Sequence, residues 1–276
     1  MALNEEAPAV RLELDSRPET LTLVRGVLAG VAELIGLDPE LLDDLKTAVS
    51  EACNNVVSHA YPDGEGPLEV ELHASDDGLE VVVRDHGCGL SPQPEPAAEI
   101  GGIGLPVMAA LAESVEFVSL SGGGTEVRMR FAASKVAALR DGDEALAYEA
   151  APVSLLEPDD TVALTVGPPR LATEVLQRVL AALAARARFS TDRISNTQRL
   201  AQEIVAHIAH PVEANRLTIA VSIAPRELEL TVGPLRVGSS LDGLAPTLER
   251  FTDDHDVARA GSTEVLAMHL SEPAGR

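Results

Sequence analysis

Four short boxes in the first half of the chain combine acids, amides and glycines at spacings that could do chemistry. They occupy residues 51–55, 85–89, 101–105 and 122–127. In that order they read Glu-Ala-Cys-Asn-Asn, Asp-His-Gly-Cys-Gly, Gly-Gly-Ile-Gly-Leu and Gly-Gly-Gly-Thr-Glu-Val. A single Gly-x-Gly is weak evidence, since it occurs by chance in many proteins. The boxes together, on a helix, two glycine turns and a closing strand, predict a site for a nucleotide with a metal ion.

Glu51 and Asn55 form the acid and amide pair of the first box. They are one helical turn apart, so both can face the same cleft. An amide oxygen is a suitable hard ligand for Mg²⁺, which usually keeps waters and binds phosphates. A neighbouring carboxylate can accept a proton from an attacking hydroxyl. For this pair alone, an ordinary solvated helix face is the alternative interpretation.

Asp85 ends a run of valines and is followed closely by Gly87 and Gly89. A carboxylate at a strand end can accept a hydrogen bond from an amino group such as that of adenine. We expect the two glycines to turn with positive φ and to approach a flat base closely. A common strand-ending Asp-Gly turn is the alternative.

Gly101, Gly102 and Gly104 precede a predicted helix. Free N–H groups and the helix dipole would therefore point at an anion. A flexible loop before a glycine-started helix is the alternative here. Thr125, at the start of the last strand, could hydrogen-bond a nearby carboxylate or water, although a strand threonine needs no such role.

Hydrophobic patterning predicts an α/β fold, with a mixed, largely antiparallel sheet covered by helices on one face. In the first half it predicts strands at 10–14, 68–74, 79–85, 115–120 and 125–131, with helices at 19–35, 39–59 and 103–113. In the second half it predicts strands at 162–166, 216–223, 227–232 and 263–270, with helices at 170–187 and 191–209. The expected domains are residues 1–135 and 161–276, joined by a linker at 136–160.

The second half resembles a degenerate copy of the first. With an offset of 152 residues, Glu51 corresponds to Glu203, whereas Asn55 corresponds to His207. The equivalent of Asp85 falls near Pro234, and no Gly-x-Gly occurs between 238 and 252. We therefore predict no nucleotide site in this half, and we interpret His207 and His210 as surface histidines.

Composition restricts the function further. The 276 residues carry a net charge of −23, which argues against a nucleic-acid partner because a phosphate backbone would be repelled. Two cysteines are too few for a disulfide scaffold. Neither a signal-peptide pattern nor an apolar run of about 20 residues is present. We expect a cytoplasmic protein without membrane contact.

The boxes as a set resemble the GHKL-type (Bergerat fold) ATP-binding domain of gyrase, certain chaperones, histidine kinases and MutL. Within that group, residues 48–61 are most similar to the anti-sigma factor serine kinases of bacteria. The resemblance covers about residues 10–131. It implies that the cofactors are ATP and Mg²⁺.

The resemblance also implies a role for each matching residue. Glu51 would be the general base, Asn55 the Mg²⁺ ligand and Asp85 the adenine reader. The remaining positions would shape the base pocket, line the phosphates or support Asp85: Gly87, Gly89, Gly102, Gly104, Leu105 and Thr125.

The implied partner is a protein, either a sigma factor or an anti-anti-sigma-like antagonist. A homodimer or an intrachain pseudo-dimer would be compatible with such kinases. The sequence departs from the family pattern in one respect that leaves kinase activity undecided. No Lys or Arg occurs between Asp85 and Val127, and Ile100 occupies a position that is often basic in the family. A missing cation removes help for charge that develops in phosphoryl transfer. The alternative is a non-catalytic, nucleotide-gated interaction module.

Overall fold

The computed structural model describes two compact units, one on each side of the predicted linker. The described residues are 8–75, 78–89 and 104–132 in the first unit, and 160–167, 169–208, 216–239 and 243–272 in the second. Most of the predicted linker lies outside these ranges. The domain bounds therefore stay a prediction.

The first unit is an antiparallel sheet with three helices. Its elements are β1 (Val10–Asp15), α1 (Thr20–Ile35), α2 (Pro39–Asn55), β2 (Pro67–Ser75), β3 (Gly78–Asp85), α3 (Gly104–Leu111), β4 (Ser114–Ser119) and β5 (Thr125–Ala132). The strands are ordered β4-β5-β3-β2-β1, and each of these pairings is antiparallel. This agrees with the predicted α/β class and with the largely antiparallel sheet.

The core of this unit lies between the helices and one face of the sheet. Alternate strand residues point to that face because side chains alternate along a strand. Helices α1 and α2 pack against it. The buried apolar strand residues on this face are Val10, Leu12, Leu14, Leu68, Val70, Leu72, Leu79, Val81, Val83, Val127, Met129 and Phe131.

Helix α2 begins where the sequence predicts. The Asp38 carboxylate accepts a hydrogen bond from the Glu40 N–H at 2.9 Å, and Pro39 occupies the first helical position. Such a cap satisfies an N–H group that has no partner within the helix. The helix is followed by a π-helical turn at Val56–Ala60, a feature that is frequent near functional sites.

The opposite face of the sheet carries a network of ion pairs. Arg84 contacts Glu69 at 3.0 Å and Glu126 at 2.7 Å, and Arg128 contacts Glu126 at 2.6 Å. Burial opposes ionisation of Glu126, but the hydrogen bonds from Arg84 and Arg128 outweigh it and hold its pKa below the usual range. The network ties β2, β3 and β5 together beside the strand end at Asp85.

The second unit has the same order of elements and the same strand order. Its elements are β6 (Thr161–Val166), α4 (Ala172–Arg186), α5 (Thr191–Ile208), β7 (Leu217–Ala224), β8 (Glu227–Arg236), α6 (Ala245–Phe251), β9 (Asp254–Ala260) and β10 (Thr263–Ser271). The strands are ordered β6-β7-β8-β10-β9 and pair antiparallel. Elements α6 and β9 were not predicted. The shared order fits a tandem duplication, which stays a prediction.

No helix in the described ranges is long and apolar enough to span a bilayer.

Candidate functional site

The acid and amide pair lies in the last turn and a half of α2. Both side chains are partly exposed, whereas Ala52 and Cys53 between them are buried. Burial raises the pKa of the Cys53 thiol to about 12, so this cysteine is part of the core. The apolar side of α2 is thus held against the sheet, and Glu51 and Asn55 are left on its open side.

The start of α3 meets this pair at Gly104. A Cβ atom at Gly104 would lie 2.9 Å from Glu51 Oε2 and 3.8 Å from Asn55 Oδ1. A side chain at this position would therefore crowd the carboxylate. Gly101 and Gly102 lie outside the described residues. Leu105, in the first turn of α3, is 47% exposed, and its predicted contact with a ligand stays a prediction.

Asp85 is buried at the end of β3, with 4% of its surface exposed. Its Oδ1 atom accepts a hydrogen bond from the Gly87 N–H at 2.9 Å. This bond fixes the carboxylate within the turn that follows the strand. Within the described ranges, no other hydrogen bond or ion pair of this carboxylate is found. Its Oδ2 atom therefore keeps acceptor capacity for a ligand.

The two glycines after Asp85 serve different purposes. Gly89 has a φ of +71°, in the left-handed region, as expected from the sequence. The expectation of positive φ is wrong for Gly87, which is absent from that region. A Cβ at Gly87 would instead lie 2.1 Å from the Ala60 carbonyl oxygen, which accepts the Cys88 N–H at 2.9 Å. Close packing against the end of the π-helical turn explains this glycine.

The last box places a third glycine behind Asp85. Gly124 has a φ of +95°, and a Cβ there would lie 2.1 Å from the Asp85 carbonyl oxygen. Thr125 is buried and follows Gly124, and Glu126 pairs with Arg84 in the sheet. Thr125 is therefore beside Asp85, but none of the described hydrogen bonds joins its hydroxyl to the carboxylate. Its support of Asp85 stays a prediction, whereas the role of Gly124 was missed.

Tyr61 is a second residue that sequence reasoning missed as part of the site. Its hydroxyl donates to the Pro67 carbonyl at 2.6 Å and accepts the His86 N–H at 2.9 Å. Burial raises the pKa of Tyr61, against a smaller lowering by the His86 amide, and the Asp85 and Glu69 carboxylates add to the increase. Tyr61 thus links the end of the π-helical turn to the residue after Asp85. Its only signal in the sequence was its place at the end of residues 48–61, the segment that resembles the serine kinases.

The site offers few ligands to a metal by itself. No cluster of three or more His, Cys, Asp or Glu residues that could hold a metal ion occurs in the described ranges. The Asn55 and Glu51 oxygens, which both face Gly104, still fit Mg²⁺ because this ion usually binds through one or two protein oxygens plus phosphates and water. A metal in this position would depend on the nucleotide.

Comparison with known proteins identifies the first unit. The histidine kinase-like ATPase domain family matches residues 14–131. The serine-protein kinase RsbW of Bacillus pumilus (strain SAFR-032) is 36% identical over 137 residues, which cover 44% of this chain and 84% of the relative. RsbW of Bacillus subtilis (strain 168) is 33% identical over 135 residues, covering 44% and 84%.

The chain belongs to the histidine kinase-like ATPase domain family. This confirms the resemblance to the GHKL group and to its serine kinases. A solved structure titled crystal form III of TP0453 covers 96% of the chain with a TM-score of 0.34 and 9% identity, a similarity too weak to support any inference. Family membership implies nucleotide use in the first unit.

The second unit differs from this ATPase domain at the equivalent positions. His207 is partly buried, and its Nε2 atom lies 2.9 Å from the Ser239 carbonyl oxygen. The ring is still partly exposed, and its contact with Ser239 holds the segment after β8 against α5. His210 lies outside the described residues. Glu203 remains exposed on α5.

Proposed function

We propose that the first unit binds Mg·ATP and that the chain is a regulator of the anti-sigma type, acting on a protein partner and phosphorylating a serine of an antagonist. The observation that carries the proposal is the meeting of Glu51, Asn55 and Gly104 at the α2–α3 contact. The similarity to proteins named serine-protein kinases supports serine as the acceptor.

Each side chain has a distinct part in this proposal. The Asp85 carboxylate accepts a hydrogen bond from the adenine amino group, and the turn at Gly87 and Gly89 shapes the pocket for the flat base. Gly102 and Gly104 line the phosphates at the start of α3, where N–H groups favour anions. The Asn55 amide oxygen would hold Mg²⁺, and the ion would supply positive charge to neutralise the phosphates.

Glu51 is the general base of the transfer. Its carboxylate removes the proton from the serine hydroxyl as the serine oxygen bonds to the γ-phosphorus of ATP. The bond from that phosphorus to the bridging oxygen breaks, and ADP leaves with the electron pair. General bases of this kind typically contribute about 10²–10⁴-fold to a rate.

The first experiment is calorimetric titration of ATP and ADP into the whole chain, with and without Mg²⁺. We expect one site per chain. Glu51→Gln should keep the affinity of the unchanged chain while phosphoryl transfer to the antagonist is lost. Asp63→Asn, an exposed acid on a turn of the same unit, is the matched control and should change neither. Equal loss of binding and transfer in Glu51→Gln would contradict the division of roles.

The second candidate function is nucleotide-gated binding without catalysis. The absence of Lys and Arg between Asp85 and Val127 favours it, because no cation from this stretch can assist the γ-phosphate. Incubation with γ-labelled ATP and the antagonist separates the two functions. Label on a serine of the antagonist indicates the kinase. ATP-dependent complex formation without label indicates the module.

A further inference from the structure

The second unit contains a polar cleft between α5 and α6. Its volume is about 350 Å³, and its walls are Arg199, Gln202, Glu203, Pro246, Thr247, Arg250 and Phe251. Because Arg199, Gln202 and Glu203 are spaced i, i+3 and i+4, they lie on one side of α5. In the order of elements, α5 and α6 correspond to α2 and α3 of the first unit. The cleft therefore has the place of the first unit's site but a different chemistry.

Two arginines bring positive charge to this cleft. Arg199 and Arg250 are exposed, and neither forms an ion pair with a carboxylate in the described part of the chain. The Arg250 guanidinium lies 5.1 Å from the centre of the Phe251 ring, a cation–π distance that restrains its position. Guanidinium groups present planar pairs of N–H donors that match a carboxylate or a phosphate.

The other walls narrow the choice of ligand. Glu203 opposes a dianionic phosphate more strongly than a singly charged carboxylate. Only Pro246 and Phe251 are apolar, whereas enclosed pockets for small molecules are mostly apolar and bury most of the ligand. An open, polar cleft of this size instead fits a side chain presented by another protein.

We propose that this cleft binds an acidic protein segment through the carboxylate of an Asp or Glu side chain. Arg199 and Arg250 hold the carboxylate, and the Thr247 hydroxyl and the Gln202 amide are neighbouring donors. Arginine clusters recognise acidic motifs by this chemistry. The proposal does not depend on nucleotide binding by the first unit. It assigns a recognition task to the half that lacks the glycine boxes.

The test is an NMR titration of the whole chain, observing the arginine Nε–H groups, with the peptide N-acetyl-(Glu)₄-amide as the probe. We expect the Arg199 and Arg250 signals to shift together and to saturate. In Arg199→Gln/Arg250→Gln, the affinity measured from backbone signals of α5 and α6 should fall about tenfold or more, because charge-assisted hydrogen bonds are lost. Arg259→Gln removes an exposed arginine of β9, outside the cleft, and should leave the affinity unchanged.

A parallel titration uses N-acetyl-(Gln)₄-amide and inorganic phosphate. No shift with the glutamine peptide and weaker binding of phosphate support recognition of a carboxylate. Tighter binding of phosphate than of the glutamate peptide would overturn the choice of ligand. Signals of Arg259 that shift as much as those of Arg199 and Arg250 would overturn the site, since they indicate non-specific ion association.

Discussion

The α2–α3 pair of the first unit and the α5–α6 pair of the second place different chemistry in one order of elements. In the first unit, Gly104 leaves room beside Glu51 and Asn55. In the second, arginines line the cleft, and His207 bonds to Ser239 where the first unit has a partly exposed amide. The comparison teaches that one order of helices and strands can carry different chemistry, because a few side chains decide what the site can hold.

The turns beside the two helix pairs differ as well. In the first unit, Gly87 and Gly124 lie so close to backbone carbonyl oxygens that neither position has room for a Cβ atom. The chain is therefore packed tightly around Asp85. In the second, Gly238 donates its N–H to the buried Glu264 at 2.9 Å. In the first unit, close packing of the glycines fixes the position of the backbone beside the Asp85 carboxylate. In the second unit, the Glu264 carboxylate accepts a hydrogen bond from the turn and so holds the turn in place.

The largest expected effect comes from Gly124→Ala. The new Cβ would meet the Asp85 carbonyl oxygen at 2.1 Å, at a φ of +95° that alanine rarely adopts. We expect a loss of about 3 kcal/mol or more in the free energy of unfolding, measured by urea denaturation. Gly122→Ala is the matched control, because nothing lies within 4 Å of its Cβ position. Similar losses in both variants would refute the packing argument.

A smaller effect is expected for nucleotide affinity in Asp85→Asn. The amide oxygen can still accept the Gly87 N–H, but the charged acceptor for adenine is lost. A hydrogen bond to a charged group contributes about 1.5–3 kcal/mol, so the ATP affinity should fall about 10- to 100-fold. Glu203→Gln, in the second unit, should leave it unchanged. An affinity loss in Glu203→Gln would instead show that the second unit takes part in nucleotide binding.

Truncation at the ends of α5 and α2 should affect stability in one case and metal-dependent binding in the other. His207→Ala removes the hydrogen bond to Ser239 and should lower the free energy of unfolding by about 1 kcal/mol. Asn55→Ala should change stability by less than about 0.5 kcal/mol, as expected for a partly exposed polar side chain. It should, however, remove the dependence of ATP affinity on Mg²⁺. Unchanged Mg²⁺ dependence would exclude Asn55 as a ligand.

The smallest expected effect is a loss of stability at low pH. The pKa of Glu126 is lowered in the folded state, so its stabilising contribution is present above the unfolded value of about 4.3 and is lost as the pH falls through the folded value. The protection of the β3 and β5 amides against hydrogen exchange, relative to the intrinsic exchange rate at each pH, should therefore decrease between pH 6 and pH 3. Glu126→Gln should weaken this dependence, whereas Glu113→Gln, an exposed control, should not.

The second unit provides the internal comparison for that experiment. The pairing of β6 with β7 includes a contact between two neutral hydroxyls, with the Thr165 and Thr218 oxygens 3.0 Å apart. The protection of the β6 and β7 amides should change less over the same pH range. Equal sensitivity of the two sheets would show that the ion pairs are not its cause.

Local patterns predicted most of the elements but not all of them. The Asp38 cap and the alternating strands depend on residues that are close in sequence, and both occur as predicted. Elements α6 and β9 were missed because each is short and largely polar, so neither has a clear hydrophobic period. Only Leu248 and Phe251 of α6 are buried. Their structure depends on packing against α5 and β10.

The sequence by itself determined the family, the α/β class and the positions of the boxes, because these depend on residue type and short-range periodicity. Only the tertiary structure decided that Gly124 packs behind Asp85, that Tyr61 bridges His86 and Pro67, and that His207 is held by Ser239. The physical reason is that the contacting groups are far apart along the chain. Gly124 lies 39 positions after Asp85 and His207 lies 32 positions before Ser239, so only the folded sheet and helices bring these groups within contact distance.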